Sequence, residues 1–261
     1  MKILAIGDIF GKTGREVIKN YLPQLKREEK IDLVIANVEN TTHGKGITEK
    51  HYEELKKYGI EIMTSGNHIF ACEETQKFIS KVPNLLRPLN SNPYHPGKGT
   101  VIVPPVKGKK IRITNLIGTA FMSMAAENPY FALKKLIDLQ DCDIHLVDFH
   151  AETTAEKIAL ALRYDGQISA LWGTHTHVQT ADERILLKGT AFITDLGMTG
   201  PAWGVIGADP KGIIKRAERG LPAKMVPHED EKDKGQFNGV IIEFDDINNR
   251  ATSIKRVRKI F

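Results

Sequence analysis

Continuous apolar runs alternate with helical patterns along most of the chain. "KILAIGD" is a strand-length aliphatic run, and "IDLVIANVEN" and "IEIMTSG" repeat the type further on. Runs without polar alternation belong to strands buried on both faces. Between them lie amphipathic stretches with helix punctuation. Thr13 and Glu16 form a capping-box pattern opening a helix through about Lys30. Thr48 opens "TEKHYEELKKYG", which Gly59 closes. A helix is expected near 73 to 81, and "NLLRPLN" reads as a short fourth strand. This β-α-β-α-β order predicts a mostly parallel sheet with right-handed crossovers.

Further on, residues 90 to 110 carry Pro, Gly and Lys and read as a surface loop. "TVIVPPV" and "KKIRITNLIG" suit an antiparallel pair, and 119 to 128 are irregular. A helix starts at "PYFALKKLIDL", followed by a strand at "DIHLVDFHAE". "TTAEKIALALRYDG" is a helix with a second capping pattern, Thr153 and Glu156. Then come the strand and loop "ISALWGTHTHV" and a hairpin around Lys188 and Gly189. A Gly-rich loop "GMTGPAWGVIGADPKG" and two closing strands complete the chain. There is no internal repeat and no low-complexity linker, so one domain over 1–261 is the expectation.

Polar residues gather where the apolar runs stop. Ligands of open α/β sheets bind beyond the carboxyl ends of the strands. The first strand ends at Asp8, the second at Glu39 and Asn40, and the third at Asn67 and His68. Later strands end at His150 and at the His175–Thr176–His177 triplet. Each residue alone has a plain reading, a turn cap or a satisfied histidine. Their coincidence at five strand ends points to one site. Carboxylates, amides and imidazoles form a mixed hard and borderline set suited to Mn, Fe or Zn. Asp8, Glu39, Asn40, Asn67, His150, His175 and His177 are too many for one ion. A bridging Glu39 between two ions roughly 3.5–4 Å apart would use them all, the arrangement that clamps a displaced phosphoryl group. On an extended segment His175 and His177 would face the same side, each toward one ion. His68 is the candidate general acid. His43, in "TTHGKG", is a weaker candidate for substrate contact, and Asp148 a candidate support for a ligand.

In order and spacing, "GDIF", "VEN", "GNH", "DFH" and "GTHTH" resemble the calcineurin-like metallophosphoesterases, and among them the YmdB-like family of bacterial 2′,3′-cyclic nucleotide phosphodiesterases. "ENTTHGKGIT", "DLGMTGP", "GVIG" and the closing "NGV" extend the likeness over essentially the full length. The resemblance implies a sandwich of two mixed β-sheets flanked by helices. It implies Asp8, Glu39, Asn40 and His177 at a first metal, and Glu39, Asn67, His150 and His175 at a second, with Glu39 bridging. The metals implied are iron or manganese, with a metal-bound hydroxide as nucleophile and His68 as proton donor. Most of the wider superfamily has Asp-x-His after the first strand. Here position 10 is Phe10, and the bridging position holds Glu39 where an aspartate is usual, a pattern typical of the YmdB-like branch.

The substrate implied is a cyclic nucleotide such as 2′,3′-cAMP. The alternatives are a phosphomonoesterase, an RNA nuclease, or a regulatory protein that senses a nucleotide or RNA. RNA is thus a candidate partner, and self-association is implied by the family. The bulk numbers fit. There are 37 basic and 32 acidic residues, a net charge of +5, too mild to signal a nucleic-acid protein by itself. Two cysteines, Cys72 and Cys142, make no disulfide framework and suit a reducing compartment. "MKILAIGD" is too short for a signal segment or a membrane span. A cytoplasmic protein is expected.

Overall fold

The computed structural model describes residues 1–222, 226–230 and 232–261. In chain order the strands are β1 (Lys2–Ile6), β2 (Asp8–Ile9), β3 (Leu33–Asn37), β4 (Ile62–Thr64), β5 (Thr100–Val106), β6 (Lys109–Ile117), β7 (Ile144–His150), β8 (Ala170–Thr174), β9 (Arg184–Ile185), β10 (Ala191–Ile193), β11 (Met198–Thr199), β12 (Gln236–Phe244) and β13 (Ala251–Ile260). The helices are α1 (Gly11–Glu28), α2 (Glu49–Lys57), α3 (Glu73–Phe78), α4 (Pro129–Ile137), α5 (Thr154–Arg163) and α6 (Pro210–Arg219).

They build two mixed sheets packed face to face. One has the order β13-β12-β1-β3-β4, the other β5-β6-β7-β8-β10-β9. The first is parallel across β1-β3-β4, as the β-α-β-α-β reading requires. Beside β1, however, the chain's last strands return antiparallel, with Ala5 opposite Val240. The second sheet is parallel from β6 through β10, with antiparallel edges. A short parallel pair, β2 with β11, ties Asp8 to Met198.

Period-2 alternation explains the four layers. Ile3 and Ala5 of β1 and Leu33 and Ile35 of β3 join Ile111, Ile113, Ile144, Leu146 and Trp172 in a core between the sheets. The intervening Leu4, Ile6, Val34 and Ala36 face the other way, onto Val17, Ile18 and Leu22 of α1 and Tyr52 and Leu55 of α2. On the far side, Val147, Phe149 and Leu171 pack against Leu133 of α4 and Leu160 of α5. The central strands of both sheets are therefore covered on both faces, and exposed polar residues are left to edge strands such as β13 and β9. Helix-on-sheet, sheet-on-sheet and sheet-on-helix packing leave the strand ends as the place for polar chemistry.

Local details differ from the expectations. Helix α1 begins at Gly11, with Phe10 as N-cap and no side-chain cap. Gly11 starts it in left-handed backbone, φ 60°, and donates to the Asn40 carbonyl at 2.9 Å. The Thr153 capping pattern is not used either; Glu156 accepts from the Thr119 backbone and hydroxyl instead. "NLLRPLN" forms only isolated bridges, Met63 to Leu85 and Leu86 to Lys98, because Pro88 and the next loop end the pairing. The 73 to 81 segment is α3 followed by a 3₁₀ turn, Ile79–Lys81. The hairpin at Lys188 and Gly189 is present, Gly189 having φ 103°. Among the described residues no helix is long and apolar enough to cross a membrane.

Candidate metal centre

All seven candidate ligands meet at one end of the sandwich, and they come from both sheets. Asp8 follows β1, Glu39 and Asn40 follow β3, and Asn67 follows β4, all in the first sheet. His150 ends β7, and His175 and His177 follow β8, in the second. The site sits on the seam.

Its floor is fully buried. Asp8, Glu39 and His150 have no exposed surface, and Asn40 is 2% exposed. Around His150 Nε2 three heteroatoms crowd: Glu39 Oε1 at 3.1 Å, Asn67 Oδ1 at 3.1 Å and His175 Nδ1 at 3.0 Å. One N–H cannot serve three partners. The Glu39 approach is an ion-pair contact outside hydrogen-bond geometry, so Glu39 Oε1, like Asp8 Oδ1, is a buried carboxylate oxygen with no hydrogen-bond donor. Such orphaned charge is costly unless something positive completes it. Glu39, His150 and His175 offer ligand atoms all within 4.8 Å of one another.

The second half of the site lies beside the first. His177 Nε2 is 3.8 Å from Asp8 Oδ1 and 3.1 Å from the Asn40 amide nitrogen. His150 Nδ1 is 4.0 Å from the same Asp8 oxygen.

Each imidazole is tethered by its outward nitrogen. His177 Nδ1 donates to the Ile206 carbonyl at 2.8 Å. His175 Nε2 lies 3.0 Å from Glu152 Oε2. His150 Nδ1 faces the Thr174 hydroxyl at 2.9 Å, and that hydroxyl donates to Asp148 at 2.8 Å. Asp148 also accepts from Thr64. A proton fixed on the outer nitrogen leaves the inner lone pair pointing at the centre, which is how metal-binding histidines are held. Asp148 thus braces the His150 ring from behind through the Thr174 hydroxyl. Glu152 and Thr174 were not singled out in the sequence; their signal was adjacency, Glu152 two residues after His150 and Thr174 just before His175.

Charge in the metal-free site is arranged around His150. Burial alone would discharge it, yet the Glu39 carboxylate outweighs burial and holds its pKa above the ordinary value. Burial would likewise raise Glu39, but His150 pulls it below the carboxylate range. Burial pushes Asp8 upward. Burial, aided by neighbouring His150, drops His175 to about 3, keeping it neutral and able to ligate.

Two backbone features serve the geometry. His175 and His177 are not on an extended segment as expected. Both have left-handed backbone, φ 105° and 64°. This strained bend turns one ring toward Glu39 and His150 and the other toward Asp8 and Asn40. Gly66 explains the bare turn before Asn67: an added Cβ would stand 2.1–2.4 Å from the His150 ring. The glycine lets an imidazole from the other sheet lie against the backbone.

His68 is half-buried at the edge of this cluster. Its backbone N–H donates to Glu39 Oε2 at 2.9 Å, and its Nδ1 is 3.0 Å from Asn40 Oδ1. Burial lowers its pKa. Phe10 packs edge-on against His177 with ring centroids 5.7 Å apart. A cleft of about 910 Å³ opens above, lined among others by Glu39, His68, His175, His177, Lys45 and Ile206. His43 also lines it, exposed and with φ 49°.

A family model described as "YmdB-like protein" matches residues 4–257. The chain belongs to the YmdB-like family. It is 44% identical to the 2′,3′-cyclic-nucleotide 2′-phosphodiesterase of Bacillus subtilis, over 98% of this chain and 96% of that protein. A crystal structure of a Mycoplasma pneumoniae protein, described as a novel phosphatase, superposes with a TM-score of 0.94 at 42% identity, covering all of this chain and 93% of that one. A protein of undescribed function from Thermus thermophilus superposes with a TM-score of 0.92 at 33% identity, covering all of this chain and 99% of that one.

Proposed function

We propose that this YmdB-like chain, a single domain, is a metal-dependent phosphodiesterase that opens 2′,3′-cyclic nucleotides such as 2′,3′-cAMP. The observation that carries the reading is the pair of orphaned carboxylate oxygens, Asp8 Oδ1 and Glu39 Oε1, faced by ring nitrogens of His177 and His150, with Glu39 lining an open cleft. The 44% identity to a named phosphodiesterase supplies the substrate class.

The residues fit two ions. Asp8, Glu39, Asn40 and His177 would hold one. Glu39, Asn67, His150 and His175 would hold the other. When bound, such ions, iron or manganese on this reading, neutralise phosphate oxygens and make a coordinated water acidic. The side chains do the rest. Asn67 and Asn40 contribute oxygen without adding negative charge, which keeps the site receptive to an anionic ester. His68 Nδ1 donates to Asn40 Oδ1, so when the ring is protonated Nε2 carries the transferable proton. Its lowered pKa makes that proton easier to give to the departing ribose oxygen. The covered floor keeps bulk water away from the carboxylates, and the open cleft admits a nucleoside.

Metal analysis of the purified protein, together with turnover of 2′,3′-cAMP, tests this. Wild-type protein is expected to retain metal and to turn over the cyclic nucleotide, and His68→Ala to retain metal without turnover. A metal-free protein of full activity, or full activity in Glu39→Gln, would overturn the reading. The structural likeness to a phosphatase supports phosphomonoester hydrolysis as the second reading; faster turnover of p-nitrophenyl phosphate than of 2′,3′-cAMP would select it. Binding without product would select a nucleotide or RNA sensor. The cytoplasm is the compartment where such a substrate and two free cysteines coexist.

A further inference from the structure

Between Ile206 and Val226, both cleft-lining residues, the chain makes an excursion whose main feature is α6. The rim is pinned at both ends: Asp209 N–H donates to the Val226 carbonyl at 2.9 Å, and Ala208 bridges Pro227. Yet α6 buries none of its ten residues. An ordered helix that buries nothing gains little from its own fold.

Its chemistry points outward. Lys211, Lys215 and Arg219 recur at i, i+4 and i+8, one stripe on the helix, about 12 Å long at 1.5 Å per residue. Arg216 lies beside it, and Glu218 is the only acidic residue in α6. None of these four cations has an ion-pair partner among the described residues. Arg216 and Arg219 suit the helix dipole, being in the last turn. Lys211 does not; it sits in the first turn, where a cation is disfavoured and where there is no acidic residue.

A second observation comes from the segment just before α6. Trp203 is 70% exposed, although its backbone is fixed. The N–H groups of Ala202 and Trp203 both donate to the buried Asp233 carboxylate, at 3.0 and 2.9 Å. An uncovered indole on a fixed backbone, a few residues before an unpaired cationic stripe in the chain, is a combination suited to single-stranded nucleic acid: bases stack and phosphates track the cations.

We propose that residues 202–221 form a docking surface for the single-stranded RNA upstream of a terminal 2′,3′-cyclic phosphate, with Trp203 stacking a base and Lys211, Lys215, Arg216 and Arg219 following the backbone. The substrate class is then an RNA 3′ end and not only a free mononucleotide. Cyclic phosphates of this kind form when a ribose 2′-oxygen attacks its own 3′-phosphodiester and expels the 5′-oxygen of the next nucleotide. The reaction that supplies the substrate is therefore transesterifying cleavage of RNA. This rests on the phosphodiesterase reading above.

The test compares 2′,3′-cAMP with a six-nucleotide RNA ending in a 2′,3′-cyclic phosphate, across a salt series. Wild-type protein is expected to show a KM at least tenfold lower for the oligonucleotide. Lys211→Glu/Lys215→Glu/Arg219→Glu is expected to remove that advantage and leave the mononucleotide KM within twofold. The slope of log KM against log salt should flatten by about 2, at about 0.7 per lost contact on a single strand. Trp203→Ala should raise only the oligonucleotide KM. Because Lys211, Lys215 and Arg219 are exposed, circular dichroism of the triple variant is expected to match wild type, and the milder Lys211→Gln/Lys215→Gln pair gives the same direction. If wild type turns over 2′,3′-cAMP but handles both substrates alike, or the triple variant keeps the advantage, the docking proposal fails alone. A shift from dimer to monomer in the triple variant, with substrate preference unchanged, would assign the surface to a second copy of the chain and overturn it. Absence of turnover on either substrate instead sinks the phosphodiesterase reading.

Discussion

Two buried ionic clusters lie within a few residues of each other and are built on opposite principles. Lys157 of α5 and Asp195 are fully buried and paired at 2.7 Å. Asp195 Oδ2 also accepts the Thr176 backbone N–H, and Oδ1 accepts that of Gly197. Each carboxylate oxygen is occupied. Thr176 stands between His175 and His177, so this closed cluster is the bracket holding the bent segment. Asp8 and Glu39, a short way inward, each leave one oxygen without a donor. The same residue types at the same burial are structural where satisfied and receptive where not. Satisfaction, rather than burial or charge, separates scaffold from site.

The largest expected effect attacks the closed cluster. Lys157→Ala strands Asp195 in the interior and should cost about 3–5 kcal/mol of folding stability, read by denaturant unfolding of metal-free protein. A Lys157→Met/Asp195→Asn pair, which removes both charges and keeps an acceptor for a backbone N–H, should recover part of that loss. Should Lys157→Ala unfold like wild type, the scaffold role is wrong. In the open cluster the order reverses. Glu39→Gln should weaken metal retention more than about a hundredfold, beyond the range seen for supporting residues, and should cost metal-free stability only at pH values where Glu39 keeps His150 protonated; elemental analysis and melting curves read the two separately. Intermediate between them is Thr174→Val, which removes the acceptor behind His150. Metal affinity should fall about 10–100-fold, with about 1–3 kcal/mol lost where Asp148 loses a donor.

The smallest effect is that of pH, and its sign distinguishes the clusters further. His150 has its pKa raised in the metal-free protein, from 6.5 to about 9. A raised imidazole contributes stability that is complete below pH 6.5 and is lost as pH climbs toward 9. Metal must displace that proton, so affinity should increase up to about tenfold per pH unit over the same window. Metal-free melting temperature and metal affinity should therefore move in opposite directions between pH 6.5 and 9. Parallel movement would mean that His150 carries no proton to displace.

Much of this was legible in the sequence because the strand ends are marked by composition. Unbroken aliphatic runs locate strands covered on both faces, and the polar residue ending each run lands at the same end of the sandwich. Asp8, Glu39, Asn40, Asn67, His150, His175 and His177 followed from that rule alone. The rest depends on contacts between distant segments. Nothing local signals that β12 inserts antiparallel beside β1, since its apolar run suits either direction. The left-handed backbone at His175 and His177 is imposed by Asp195 and the Lys157 behind it, and imidazole side chains carry no such signature. Thr13 and Thr153 looked like helix caps by spacing. Tertiary bonds, Gly11 to Asn40 and Glu156 to Thr119, overrode them. Glu152 and Thr174 escaped notice because a supporting residue is recognised only through the ring it orients.

The divided origin of the candidate ligands, four from the first sheet and three from the second, has a mechanical corollary. Any cation lodged among them would act as a rivet across a seam otherwise closed by hydrophobic packing and a few hydrogen bonds such as Thr64 to Asp148, adding stability that grows with the logarithm of its free concentration. Unloading the rivet would let the two halves shear most easily at this end, so a pulling or proteolysis experiment on stripped protein should open the molecule here before anywhere else.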